Sequence, residues 1–282
     1  MRRSAHARRG YILLMTLLLI PLTAVALASL ERMSLTRALE ANRTERTLQR
    51  RWLVTTLQAT LLKNAPQILD SASSDEPVLL RTATVTIGGC PVAMVITDEQ
   101  AKANVNALWN TRDSESCREA VQRLLDPAMV SFVLQPTPKE LPGLYGEAAF
   151  GRYGQVFPRI PPADLLGSPL RPEGPATALT LWGSGRLNFQ RATPAALRQV
   201  CAPVLGPADV EKILALRRAQ PALGTLKLLS LLSVSKEQRS TLVERLTDRS
   251  DCFGLWVVLQ EPEGSRYHFA ATYGGVTQRD SW

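Results

Sequence analysis

The stretch "ARRGYILLMTLLLIPLTAVALASLE", residues 7–31, decides how the rest of the chain is read. From Tyr11 to Leu30 it runs 20 residues without a charge. As a helix rising about 1.5 Å per residue, that length matches a hydrocarbon core about 30 Å thick. Pro21 falls in its middle, where a membrane helix tolerates proline because neighbouring helices or local water satisfy the freed carbonyl. Three readings fit. The first is a cleavable secretory signal, with a basic n-region, an apolar h-region and Ala26-Leu27-Ala28 as the small-residue cleavage site. The second is a plain uncleaved anchor. The third turns on the junction Arg8-Arg9-Gly10-Tyr11 and on the residues beyond the apolar run.

Residues 31–64 contain neither Gly nor Pro, and the first break is Ala65-Pro66. Leu35, Leu39, Trp52, Leu53, Leu57 and Leu61 recur at helical spacings with Arg and Thr between them. A signal peptide normally ends in a break. Here the pattern predicts one helix of about 50 residues from Tyr11 to about Asn64, half in a membrane and half on a globular head. The competing arrangement is two helices joined near Ser29.

Charge agrees with this division. The net +8 is concentrated at the start: residues 1–10 carry 4 Arg and no acid. Residues 31–65 add Arg32, Arg37, Arg43, Arg46, Arg50, Arg51 and Lys63 against Glu31, Glu40 and Glu45. That leaves 22 basic and 22 acidic residues in 66–282, a neutral body. Lys and Arg counts on the two flanks are too even to orient the segment. With 45% hydrophobic and 21% charged residues, the body is globular rather than disordered.

The four cysteines, Cys90, Cys117, Cys201 and Cys252, show no CxxC spacing, and His6 and His268 are the only imidazoles. That argues against a zinc site. An even count behind an export-type segment reads as two disulfides in an oxidising compartment. Of three connectivities, Cys90–Cys117 with Cys201–Cys252 is favoured; the alternative is buried free thiols.

Within the body, "PVLLRTATVTIGGCPVAMVITDE" (77–99) predicts a hairpin turning at Gly88-Gly89. "CFGLWVVLQEPEGSRYHFAATYGG" (252–275) predicts a second, turning at Glu261–Gly264. Residues 100–249 read as helix and loop: "SESCREAVQRLLDPAMVSFVL" is amphipathic, and 136–176 is a Pro/Gly-rich connection. The expected class is α+β, with a long N-terminal helix on a small antiparallel sheet and a large helical insert. The expected divisions are a leader at 1–10, a transmembrane segment at 11–30, helix and sheet at 31–99 and 250–282, and the insert at 100–249. "DEQAKANVNAL" (98–108) and "SGRLNFQRATPAAL" (184–197) echo each other, each placing an Asn-hydrophobic pair before a helix start. Thr193-Pro194 supplies an N-cap and first-turn proline.

Residues 191–246 resemble tandem helix-hairpin-helix units with joints at "LGPAD" and "LLSVS". Hairpins that hold DNA offer backbone N–H groups to a phosphate. Here Gly206 is followed by Pro207, which lacks that donor, and Ser233 stands where Gly is wanted. The hairpins therefore read as packing scaffold, with no nucleic acid as partner. No Gly-x-Ser-x-Gly elbow, phosphate loop or metal-spaced His/Cys cluster is present, so the sequence reads as that of a non-enzyme.

The Arg-Gly-Tyr junction resembles a prepilin-type leader. Together with "VITDEQAKANVNAL", "PGLYGEAAF" (142–150), "GSGRLNFQRATPAAL", the hairpin region and "DRSDCFGLWVVL" (248–259), it is similar to the K-type minor pseudopilins of the bacterial type II secretion system. The resemblance implies cleavage by a prepilin peptidase between Gly10 and Tyr11, with N-methylation of Tyr11. It implies a structural subunit at the tip of a short filament, initiating its assembly for protein export. Its partners would be other minor pseudopilins, the inner-membrane secretion platform and the lipid bilayer. The chain would cross the bacterial inner membrane once, with a cytoplasmic N-terminus and a periplasmic body. Met15 occupies the fifth mature position, where such subunits ordinarily carry Glu. A carboxylate in a membrane is retained there to pair with the terminal amine of the subunit ahead. A tip subunit has none ahead, and Met avoids the cost. The resemblance also allows calcium, although Asp70, Asp75, Glu76, Asp98, Glu99 and Asp251 are scattered and give no ligand set. The remaining alternatives are a minor pilin of a type IV pilus and a periplasmic helix-hairpin-helix DNA-uptake protein.

Overall fold

Two glycines in the left-handed region, Gly88 at φ 57° and Gly89 at φ 77°, turn the first hairpin. Such a two-residue turn matches the right-handed twist of the strands it joins. The structure, a computed structural model, describes residues 4–71, 78–125, 131–135 and 150–282. They fall into two compact units, residues 1–55 and 56–282.

Helix α1 runs Ser4–Lys63. In the first unit its apolar residues from Leu13 to Leu30 are exposed. The segment is long and apolar enough to cross a membrane. Its hydroxyls are satisfied locally, Thr23 donating to the Ile20 carbonyl at 2.9 Å and Ser29 to the Val25 carbonyl at 2.8 Å. Helix continues through Pro21 and through Ser29, so the join considered near Ser29 is absent.

In the second unit, a short helix α2 (Ala65–Asp70) comes next, with Pro66 in its first turn. The main sheet has strands β1 (Leu80–Ile87), β2 (Cys90–Asp98), β3 (Cys252–Glu261), β4 (Gly264–Tyr273) and β5 (Val276–Ser281), all antiparallel in that spatial order. Both predicted hairpins are present. The fifth strand is an addition, made by Gly274 at φ 56° and Gly275 at φ 81°. Central strands β2 and β3 are buried on both faces, which is why "VAMVI" and "LWVVL" read as continuous apolar runs. Ala93, Val95, Trp256, Val258 and Phe269 join one core with the insert. Leu62, Ala65 and Leu69 are buried beneath the other face, where α2 meets β1 and β2.

Between β2 and β3 the described insert is helical, with α3 (Val105–Thr111), α4 (Ser114–Leu124), α5 (Tyr153–Val156), α6 (Pro194–Cys201), α7 (Pro207–Ala219), α8 (Thr225–Leu231) and α9 (Lys236–Arg245). Asp113 caps α4, Thr193 caps α6, and Ser235 with Gln238 forms a capping box on α9. Two minimal parallel pairings stitch it together, Ala103–Asn104 with Leu179–Thr180 and Leu187–Asn188 with Leu246–Thr247. Most of "PGLYGEAAF", together with Asp75 and Glu76, lies outside the described residues.

Candidate functional site

Where β2 ends, the chain places six polar side chains within nine residues, all buried: Asp98, Glu99, Gln100, Lys102, Asn104 and Asn106. Apolar neighbours such as Ala101, Ala103 and Val105 pack into the core and draw the polar residues in with them. Every one must then find partners inside the protein. Asp98 opens a short 3-10 turn, accepting from the Gln100 N–H at 3.0 Å. Its Oδ2 accepts from Ser250 at 2.6 Å, Asn188 at 3.1 Å and Arg191 at 3.1 Å. Arg191 also pairs with Asp70 at the end of α2. Burial pushes the Asp98 carboxyl up, against the pull of Ser250, Arg191 and Asn188.

Glu99 and Lys102 form an ion pair at 2.6 Å with both side chains fully buried. The same carboxylate accepts from the hydroxyls of Thr97 at 2.5 Å and Thr180 at 2.6 Å. Gly254, opposite on β3, keeps this space open, because a Cβ there would fall on the Glu99 carboxylate. Gln100 spans Ser184 and the Asp251 N–H at 2.6 Å each. Asn104 caps α3 and donates to the Trp182 carbonyl at 2.8 Å. Asn106 binds both the N–H and the carbonyl of Phe150 at 2.8 Å. The result is a polar joint that fastens the end of β2, the start of β3 and three separated stretches of the insert to one another.

The joint absorbs the two echoing motifs. Asn104 and Asn188 each accept a nearby backbone N–H, from Ala107 and Gln190 at 3.0 and 3.1 Å, but only Asn104 caps a helix. Lys102, Thr97, Thr180, Arg191 and Ser250 were not singled out from sequence. The signal for Lys102 was a lysine between two alanines, three residues after Glu99. Among the described residues no group of three or more His, Cys, Asp or Glu could hold a metal ion.

All four cysteines, Cys90, Cys117, Cys201 and Cys252, stand as free thiols in the structure. Cys90 sits at the hairpin end of β2, its Sγ 3.6 Å from the Gln260 carbonyl, while Cys117 is buried on α4. Cys252 opens β3 at the opposite end of the sheet, beside Gly183, whereas Cys201 closes α6. Burial pushes the Cys117 thiol up to about 11 and Cys201 to about 12, with Cys252 also raised.

Three arginines of the helical hairpins are held by partners within the protein. Arg198 pairs with Glu211 at 2.8 Å, Arg217 donates to the Phe189 and Ala192 carbonyls, and Arg245 donates to the Val200 carbonyl. Gly206 is the residue before α7, with Pro207 inside its first turn. Gly10 and Tyr11 lie within α1, and Tyr11 and Met15 are exposed.

No family model and no curated protein matches the chain. A solved structure does. It is the GspK-GspI-GspJ complex of the type 2 secretion system of enterotoxigenic Escherichia coli, similar at a TM-score of 0.46 and 12% identity over 86% of this chain and 99% of that chain.

Proposed function

We propose that the protein is a structural minor pseudopilin, placed at the tip of a type II secretion filament, where it initiates assembly for protein export. The observation that carries the reading is α1. A charge-free run from Tyr11 to Leu30 continues without a break into a polar helix ending at Lys63. A secretory signal joined to a separate domain gives no reason for that continuity, whereas a subunit that keeps its apolar helix after processing requires it. The body adds a sheet interrupted by a large helical insert, locked by a joint made of buried, mutually satisfied polar groups. Such a joint builds rigidity rather than a reactive centre.

In this reading prepilin peptidase cuts between Gly10 and Tyr11, and Tyr11 becomes the methylated terminus. The bilayer holds residues 11–30, with the body on the periplasmic side of the inner membrane. Other minor pseudopilins dock beside it, the inner-membrane platform supports assembly, and Met15 leaves no unpaired carboxylate in the membrane. The test is intact-mass and N-terminal peptide mass spectrometry of the protein from membranes of a host carrying prepilin peptidase. A start at Tyr11 bearing one methyl group is expected. A start at Ser29 sinks the reading.

A further inference from the structure

The strand β5 and Trp282 lie across an aromatic cluster of Tyr153, Trp182, Trp256 and Phe269. Within it Trp182 and Phe269 are 4.7 Å apart and Trp256 and Phe269 are 4.9 Å apart. Three alternating side chains fasten the segment. Gln278 accepts from the Trp182 indole N–H at 2.6 Å. Asp280 faces Arg152 at 3.7 Å. Trp282 stacks on Trp256 at 5.5 Å and 11°, with its backbone N–H on the Tyr267 carbonyl at 3.0 Å. Of the three, only Asp280 titrates. One of its oxygens, Oδ2, is buried with no hydrogen-bond partner, and Arg152 is 77% exposed and so a screened counter-charge. An ionised carboxylate in that position is poorly compensated, and protonation removes the larger part of that cost.

We propose that β5 with Trp282 is a proton-operated clasp, closed over the aromatic cluster when Asp280 is protonated and loosened when it ionises. Burial raises the Asp280 pKa, with Arg152 opposing. A carboxyl whose pKa is higher closed than open holds the clasp fully at low pH and gives up that stability as pH rises through the closed-state pKa. The other charged or titratable groups around it are Tyr153 on α5, Glu99 behind Tyr153, His268 across β4 from Ser281, and Arg279 on its own strand. Burial pushes the Tyr153 phenol well above its usual range and His268 below its usual range. Release of β5 leaves β4 as an unpaired edge of the sheet.

The test is 19F NMR of the full chain, labelled with 5-fluorotryptophan in detergent, between pH 4 and 9. Trp282 is assigned by the loss of its resonance in Trp282→Phe. Its ring-current shift is expected to diminish as pH rises, to persist across the range in Asp280→Asn, and to titrate as before in His268→Asn. Arg152→Ala, at an exposed position, is expected to move the midpoint to higher pH. A resonance that does not move with pH overturns the proposal. So does an Asp280→Asn variant that titrates like the parent, a His268→Asn variant that no longer titrates, or an Arg152→Ala variant with an unchanged midpoint.

Discussion

Lys102→Met removes one half of an ion pair whose two side chains are both fully buried. The Glu99 carboxylate keeps its hydrogen bonds from Thr97 and Thr180 but loses its contact with the ammonium. Removing one partner of a buried pair leaves an uncompensated charge and costs about 3–5 kcal/mol. For a domain of this size each kcal/mol moves Tm by roughly 2–4 °C, so the expected drop is about 6–20 °C. Circular dichroism melts of the detergent-solubilised chain, supported by urea titration, measure it. The internal control is Arg123→Ala. Its 2.8 Å pair with Glu119 leaves both side chains more than half exposed, and it is expected to cost less than about 1 kcal/mol. Glu99→Gln combined with Lys102→Met keeps the hydroxyl bonds without the charge, and is expected to recover most of the loss. If Lys102→Met melts like Arg123→Ala, or the double variant is worse than the single, the joint is not an electrostatic lock.

The same region and the thiols give two more expected outcomes. Gly254→Ala puts a methyl onto the Glu99 carboxylate and 2.7 Å from the Thr97 hydroxyl, and is expected to destabilise by about 1–3 kcal/mol. Gly254 lies in ordinary strand backbone, so the cost is steric alone; a neutral Gly254→Ala in a urea melt would show that the joint has slack. In native protein an aromatic disulfide reagent at pH 8 is expected to modify half-buried Cys90 well before Cys117, Cys201 and Cys252, whose thiols are buried and raised. Equal rates at all four, or fewer than four titratable thiols after unfolding under non-reducing conditions, would contradict the free-thiol assignment.

Local signals in the sequence carried the elements that depend on local physics. The Gly88-Gly89 pair announced its hairpin because only a left-handed turn joins two such strands without splay, and the Gly-free, Pro-free run to Lys63 announced α1. The last strand was harder, since "VTQRDS" is polar and its partner "RYHFAATY" supplies most of the apolar signal. The polar joint was only half legible. Its residues were visible as two echoing motifs, yet what they do depends on contacts across 81 residues, from Glu99 to Thr180, and 152 residues, from Asp98 to Ser250. No local period encodes such pairings. The cysteines are a related case, since pairing four of them needs distances and composition supplies only parity.

Asp98 at the end of β2 lies directly opposite Phe253 near the start of β3, so two neighbouring strands are parted in the chain by the whole insert. The entropy of closing a loop grows only logarithmically with its length, each doubling costing about 0.6 kcal/mol. In closure entropy alone, the insert therefore costs the sheet little more than a long hairpin connection would. Its burden is kinetic: β2 must wait for β3 to be synthesised and delivered before the centre of the sheet can zip. The insert also lends the sheet half its core and most of the partners of Asp98 and Glu99, so a short turn spliced between Asp98 and Phe253 would strip one face of the sheet bare: sheet and insert stand or fall together.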